Sequence, residues 1–401
     1  MVKMQEKLPS DFFNWLVDLR RWFHRFPEMA YKEKKTSAKI CEVLDTLDVP
    51  YQSGVGGTGV LARLRAKRPG PVLALRADMD ALPLKEANDV SYKSQHHGLM
   101  HACGHDGHMT IALGVIKWLI ETDWQTWGSG EILFIFQPAE EGGAGAKAML
   151  ETGIFDLEPI DAVFAGHLHP ERPAGDVAIA AEISNAAADT VLIRLRGKGG
   201  HGAHPHQCKD PIVAGAHLVT QLQTLISREL PPLDSAVLTI GRFEAGSASN
   251  IIPEEAYMEG TLRTLRPEVR THIIKRLEAL VEGVAKSYDV RLFLEIIKGY
   301  PVLVNDSKLV KHTKRYASEI LGAGHVHTDL PRMGAEDFAY FCQKWPGVMV
   351  GLGCHDPRMG FQYGLHSCHF DFDERTLDVA TRLFGCVLTR YIENRVALHE
   401  T

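Results

Sequence analysis

Apolar residues along the chain fall into two rhythms. After Ser10, a residue suited to cap a helix start, Phe13, Leu16, Trp22 and Phe23 recur at helical spacing until Pro27 stops them. Ile40, Val43, Leu44 and Leu47 repeat that spacing and predict a second helix. Short, largely apolar runs then appear at residues 59–64, 72–76, 132–136 and 162–165, with a helical pattern over 109–121 between the second and third. Short buried strands alternating with helices predict an α/β fold, a mixed, mostly parallel sheet with helices on both faces. Ligands in such sheets collect beyond the carboxyl ends of strands. Polar clusters follow the apolar runs in that way: Asp78, Glu140 and His167.

Near residue 187 the rhythm changes. Residues 190–195, 236–243, 256–264 and 290–296 read as strands, and 211–229 and 267–288 as long helices. The order βαββαβ is that of a self-contained, ferredoxin-like two-layer unit. Afterwards helix and strand patterns resume and are expected to rejoin the first sheet. The predicted organisation is a discontinuous first domain, residues 1–186 and 299–401, interrupted by an inserted domain at 187–298.

Composition narrows the class without naming a chemistry. A 45% hydrophobic and 23% charged chain of 401 residues is that of a globular protein with room for more than one domain. A net charge of -6 with no Lys/Arg-rich run gives no sign of a nucleic-acid partner. No apolar run of about 18 residues predicts a membrane span. The seven scattered cysteines show no disulfide spacing, and the first ten residues lack a secretory apolar core, so reduced thiols in the cytoplasm are expected.

Five segments carry candidate chemistry. His101, Cys103, His105, Asp106 and His108 fall within eight residues, just before a helix whose N-terminus favours a thiolate; this density of ligand types outweighs the reading as a surface loop. Glu140 and Glu141 are adjacent carboxylates, which repel unless they diverge at the surface or share a nearby cation. His167 and His169 follow one run, and either is as readily structural as a ligand. His366 and His369, with His355 upstream, form a C-terminal group. The Gly-rich 197–206 segment, with His201, His204 and His206, lacks the order of a phosphate loop or a dinucleotide fingerprint.

Taken together these segments resemble the aminoacylase/carboxypeptidase superfamily of dinuclear metallohydrolases. Within it the chain is similar to the amidohydrolase branch that includes hippurate hydrolase and indoleacetyl-amino-acid hydrolase. The matching stretches run nearly end to end, at 20–28, 76–83, 100–108, 137–143, 197–201, 250–253, 334–338 and 365–366. The resemblance implies Cys103, His105, Glu141, His167 and His366 as ligands of two divalent ions, with Cys103 bridging them. It implies Glu140 as general base and His201 as a residue reaching the active site of a partner subunit. Asn250 and Arg263 stand where relatives hold the substrate carboxylate. Peptidase members carry a metal-binding His two residues before an Asp. Here the pair is Asp78 and Asp80, left to orient ligands by hydrogen bonds.

The activity so implied is hydrolysis of the amide bond of a small N-acyl amino acid. The mixed donor set suits Zn, Mn, Co or Ni, and the resemblance implies that the inserted domain is a lid and dimerisation surface of a homodimer or tetramer. Competing readings are a metallo-dipeptidase or aminopeptidase, an N-acetyl-diaminopimelate deacetylase, and a metal-storing protein, which would need no general base.

Overall fold

A computed structural model describes the backbone of residues 7–156 and 158–399. The first six residues, part of the stretch read for a secretory signal, lie outside the described residues. The chain divides into two compact units: one runs to Ser184 and resumes over Val304–Leu330 and from Asp337, the other comprises Asn185–Leu303 and Pro331–Glu336.

The first unit is built on an eight-stranded sheet. Its spatial order is Tyr51–Val55, Gly59–Arg65, Ser129–Gln137, Arg68–Asp78, Ile160–Pro173, Gly347–His355, Val177–Ala180 and Val326–Asp329. Four of the seven pairings are parallel and three antiparallel, which makes the sheet mixed and mostly parallel. The central strand Ser129–Gln137 is buried along its whole length, as its unbroken apolar run requires. Helix His105–Glu121 is also buried on nearly all sides, because it lies between the sheet and helices Ser10–Arg25 and Arg375–His399.

Local departures from the sequence reading have clear causes. Ser10 is the first helical residue and makes no capping bond; the Pro9 carbonyl instead accepts from Phe13 N at 2.9 Å. The helix buries Phe12, Leu16, Leu19 and Phe23, together with Arg20 and His24, so its inner face is partly polar. Strand Ile160–Pro173 is far longer than its apolar run, because Gly347–His355 pairs alongside it, and His167 and His169 lie within the strand, opposite Gly351 and Gly353.

The second unit has an antiparallel sheet in the order Ala236–Ala245, Glu255–Thr264, Ala187–Arg196, Arg291–Lys298. Val191, Ile193 and Leu195 alternate inward and pack in one core with Leu218 and Leu222 of helix Pro211–Arg228 and with Ile273 and Leu277 of Pro267–Tyr288. Asp210 caps the first helix, accepting from Ile212 N at 2.8 Å, with Pro211 at the first helical position. Residues 299–303 and 331–336 belong to this unit because Ala188 N donates to the Tyr300 carbonyl and Ala186 N to the Arg332 carbonyl, both at 3.0 Å. Among the described residues, no helix is long and apolar enough to cross a membrane.

Leu222 is fully buried in this second core. Leu222→Ala is expected to cost about 2–5 kcal/mol, read as a lowered urea midpoint for the unit. A shift well under about 1 kcal/mol would mean that the core does not close there.

Candidate metal centre

In the first unit, three chain crossings deliver acceptor atoms to one place. Strand Arg68–Asp78 ends on Asp78, with Asp80 two residues on. Strand Ser129–Gln137 leads into Glu140 and Glu141, and His167 stands on the neighbouring Ile160–Pro173 strand. Helix His105–Glu121 begins there, so His105 occupies its first turn and Cys103 stands two residues before it, separated by Gly104. Gly104 between them is left-handed at φ 83°, and a Cβ there would sit 2.5 Å from Leu168 Cδ1. Glycine is required at that position on both counts.

Two overlapping groups of donors share Cys103: one with His105 and His167, the other with Glu141 and His366. Within the first Cys103 Sγ is 3.6 Å from His167 Nε2, within the second His366 Nε2 is 3.3 Å from Glu141 Oε1, and between the two His105 Nε2 is 4.0 Å from that same oxygen. Atoms that share one ion at about 2.0–2.3 Å stand roughly 3–4 Å apart, so these spacings fit a metal. His167 Nδ1 donates to the Leu168 carbonyl at 2.9 Å, which leaves its Nε2 lone pair facing Cys103. Both ring nitrogens of His105 and Oε1 of Glu141 are buried without a hydrogen bond. Buried polar atoms are ordinarily satisfied; a cation between His105 Nε2 and Glu141 Oε1 would satisfy those two, while His105 Nδ1 lies 3.5 Å from Asp80 Oδ1.

The electrostatics agree. Burial, with Glu141, Glu140 and Asp78 nearby, pushes the Cys103 thiol well above its ordinary range. Burial opposes a charge on His105, yet Asp78 and Asp80 outweigh it and raise the imidazole to about 10. Burial, reinforced by His108, lowers His167 to about 3. The cluster therefore draws in positive charge as protons, and a divalent ion would displace them.

Around these donors lies a second layer that the sequence reading named only in part. Asp80 accepts from Glu140 N through one oxygen and from Glu141 N through the other, both at 2.9 Å, and so sets the direction of the adjacent carboxylates. Asp78 takes His108 Nδ1 and Arg76 Nη1, each at 2.6 Å. His108 Nε2 accepts from Leu168 N at 2.9 Å, so both its nitrogens are used and it is a bracket rather than a donor to a metal. Asp106 is gripped by Arg20 at 2.9 Å and His24 at 2.7 Å, and its other oxygen takes Gly107 N in the helix start. Burial would raise the Asp106 pKa, but Arg20 and His24 hold it well below the carboxylate range. Arg76 also reaches Gln137 and Asp337, and Asp337 accepts from Gln137 and from Ala146 N.

Arg20, His24, Arg76, Gln137 and Asp337 lie in stretches that carry the resemblance but were given no role from the sequence. A signal existed: Arg20 and His24 fall on the helical face of Leu16 and Phe23, and Arg76 interrupts an apolar strand. His169 is not part of the cluster; its Nε2 lies 2.8 Å from Asp329 Oδ2. His101 is fully buried nearby, with both ring nitrogens lacking a hydrogen bond. His366 sits at φ 62° with its N–H on the Ala102 carbonyl at 2.8 Å. A non-glycine residue held left-handed costs roughly 1–2 kcal/mol, and that bond helps hold it.

The other named residues lie in the second unit. His201, on the short ladder Gly200–His201, pairs with Ile251 next to Asn250, and the Asn250 carbonyl accepts from Gly202 N at 2.8 Å. His201 Nδ1 accepts from Ala203 N at 3.1 Å, so its proton is on Nε2, and the ring is exposed. Arg263 is on strand Glu255–Thr264, its Nε donating to Thr261 Oγ1 at 3.0 Å.

With chelator present, Cys103 and His105 carry protons at neutral pH. Divalent affinity is therefore expected to rise with pH, up to about tenfold per unit for each proton displaced. Calorimetry in buffers of different ionisation enthalpy measures that release. Binding with no proton released would remove Cys103 and His105 from the ligand set.

Residues 74–390 match Peptidase family M20/M25/M40. The N-acetyldiaminopimelate deacetylase of Priestia megaterium is 37% identical over 383 residues, covering 95% of this chain and 98% of that protein. That of Anoxybacillus flavithermus is 39% identical over 377 residues, covering 94% and 96%. Among solved structures, the Bacillus subtilis YXEP protein, described as a dinuclear metal binding peptidase from the M20 family, superposes with a TM-score of 0.83. It is 30% identical, and the match covers 96% of this chain and 99% of that one.

Proposed function

This chain belongs to peptidase family M20/M25/M40, and from that premise we propose that it is a metal-dependent amidohydrolase that removes the acyl group from an N-acylated amino acid. N-acetyl-diaminopimelate is the foremost substrate. The relatives named above for that deacetylation favour it over the hippurate or indoleacetyl conjugates that the motifs alone brought forward. The observation that carries the reading is the Glu140–Glu141 pair, its two N–H groups held by one Asp80 carboxylate beside the Cys103, His105, His167 and His366 donors.

In this reading Cys103, His105, Glu141, His167 and His366 would hold two divalent ions drawn from Zn, Mn, Co or Ni. What such ions supply is acidity, lowering the pKa of water from about 16 towards about 7 and polarising an amide carbonyl. Glu140 takes the proton of the attacking water as the oxygen–carbon bond forms, then delivers it to the amine as the carbon–nitrogen bond breaks. Asp80 and Asp78 keep the carboxylates and imidazoles in place throughout. His201, with its proton on Nε2, donates to the oxyanion, and Asn250 and Arg263 hold the substrate carboxylate. The inserted unit serves as lid and dimerisation surface, and His201 acts on the partner subunit's reaction. A dipeptidase is the second reading, but Asp78 stands in place of the His that marks peptidase members.

Glu140→Gln is expected to lower kcat by at least about 10³-fold while divalent stoichiometry by elemental analysis stays unchanged. Substantial residual turnover would overturn the base assignment. A panel of N-acetyl-diaminopimelate, other N-acyl amino acids and free dipeptides, with and without chelator, ranks the substrates; chelator-insensitive hydrolysis would sink the metal reading. Mixing inactive Glu140→Gln and His201→Ala proteins is expected to restore activity through hybrid dimers. No rescue after proven subunit exchange would exclude action across subunits.

A further inference from the structure

Glu33 has no part in the chemistry above, yet it is fully buried. A carboxylate is expensive to bury unless its oxygens are used. One Glu33 oxygen accepts from Ala139 N at 2.9 Å and the other from Thr58 Oγ1 at 2.5 Å. Ala139 directly precedes Glu140 and is left-handed at φ 54°, a conformation that a non-glycine residue keeps only when its surroundings enforce it.

Two residues earlier, the Tyr31 hydroxyl donates to the Gly143 carbonyl at 2.6 Å, and its ring lies so close to Gly143 that a Cβ there would be 3.1 Å from Cε2. The loop between these anchors is closed by Gly145 N on the Ala139 carbonyl at 3.1 Å. Gly145 has no room for a side chain, since a Cβ would fall 1.6 Å from the Pro138 carbonyl oxygen. The same stretch also grips the opposite wall: Ala81 N, next to Asp80, donates to the Glu28 carbonyl at 2.8 Å. Glu28 in turn accepts from Thr36 N and Oγ1 at 2.9 and 3.1 Å, which fastens the stretch at its far end.

We propose that residues 28–36 form a strap in which Glu33 and Tyr31 are positioning residues for Glu140 and Glu141, holding the two ends of the loop that carries them. The proposal rests on the role assigned to Glu140, because the strap is argued to act through the loop that carries it. Its consequence is geometric: a base misplaced by about 1 Å can cost 10²-fold in rate.

Three variants test it. Glu33→Asp is too short to reach Ala139 N and Thr58 Oγ1 together, and is expected to lower kcat by about 100-fold with KM within about twofold. Glu33→Gln keeps the shape, its carbonyl accepting from Ala139 N and its amide donating to Thr58 Oγ1, and is expected to stay within about threefold of the parent. Tyr31→Phe removes one hydroxyl from a half-exposed ring, so it folds whatever the fate of the Glu33 variants, and is expected to lower kcat by up to about tenfold. Hydrogen exchange at residues 139–146 supplies a readout independent of turnover: protection should fall in Glu33→Asp and Tyr31→Phe and persist in Glu33→Gln. Parental kcat and unchanged protection in Glu33→Asp and Tyr31→Phe would overturn the strap. If the parent enzyme hydrolyses no member of the panel, the functional reading falls, while the exchange measurement still decides whether the strap holds the loop.

Discussion

The structure depends on one electrostatic requirement: a thiol, imidazoles and carboxylates crowd into a buried space, and their summed charge must be balanced. Arg76 balances Asp78 and Asp337, and Arg20 balances Asp106, each inside the protein. Backbone N–H groups do the same for Asp80 and Glu33 at lower cost, since a peptide dipole carries no desolvation penalty comparable to a full charge. What remains unbalanced is the set around Cys103, His105 and Glu141. Bound protons, or divalent ions in their place, complete it.

That requirement shapes the backbone around the site. The turns at Gly104, Ala139 and His366 all adopt left-handed conformations, and each adjoins or supplies a residue of the candidate site. Such turns bring side chains from remote parts of the chain within 4 Å of one another, which a relaxed strand-to-helix connection would not achieve. They persist because neighbours hold them: Leu168 packs over Gly104, Glu33 bonds Ala139, and the Ala102 carbonyl bonds His366. The sheet below, closed on both faces of its central strands, gives these loops a rigid base.

Family membership fixes the broad chemistry, and the donor set is consistent with it. The substrate is a finer matter, decided by shape and charge around the acyl and amino-acid groups rather than by the ligands. A deacetylase for diaminopimelate and a general N-acyl amino acid hydrolase share every step assigned to Glu140, which is why the motifs alone did not separate them.

Much was legible from the sequence. Periodicity marked the βαββαβ order of the second unit, because strands and helices there alternate inward residues at periods of two and 3.6. Apolar runs marked the buried strands, and the density of His, Cys and Asp around residues 101–108 marked the candidate site. The sequence by itself determined which residue types were present at strand ends, and hence what chemistry was available. The resemblance had picked out His167 over His169, which spacing alone left open, and the structure turns His167 towards Cys103; only the tertiary structure decided that His108 is spent on Asp78 and Leu168 and that Arg20 and Glu33 are buried. Those outcomes depend on contacts between residues tens to hundreds of positions apart, set by sheet order and strand length, and local spacing carries no record of them.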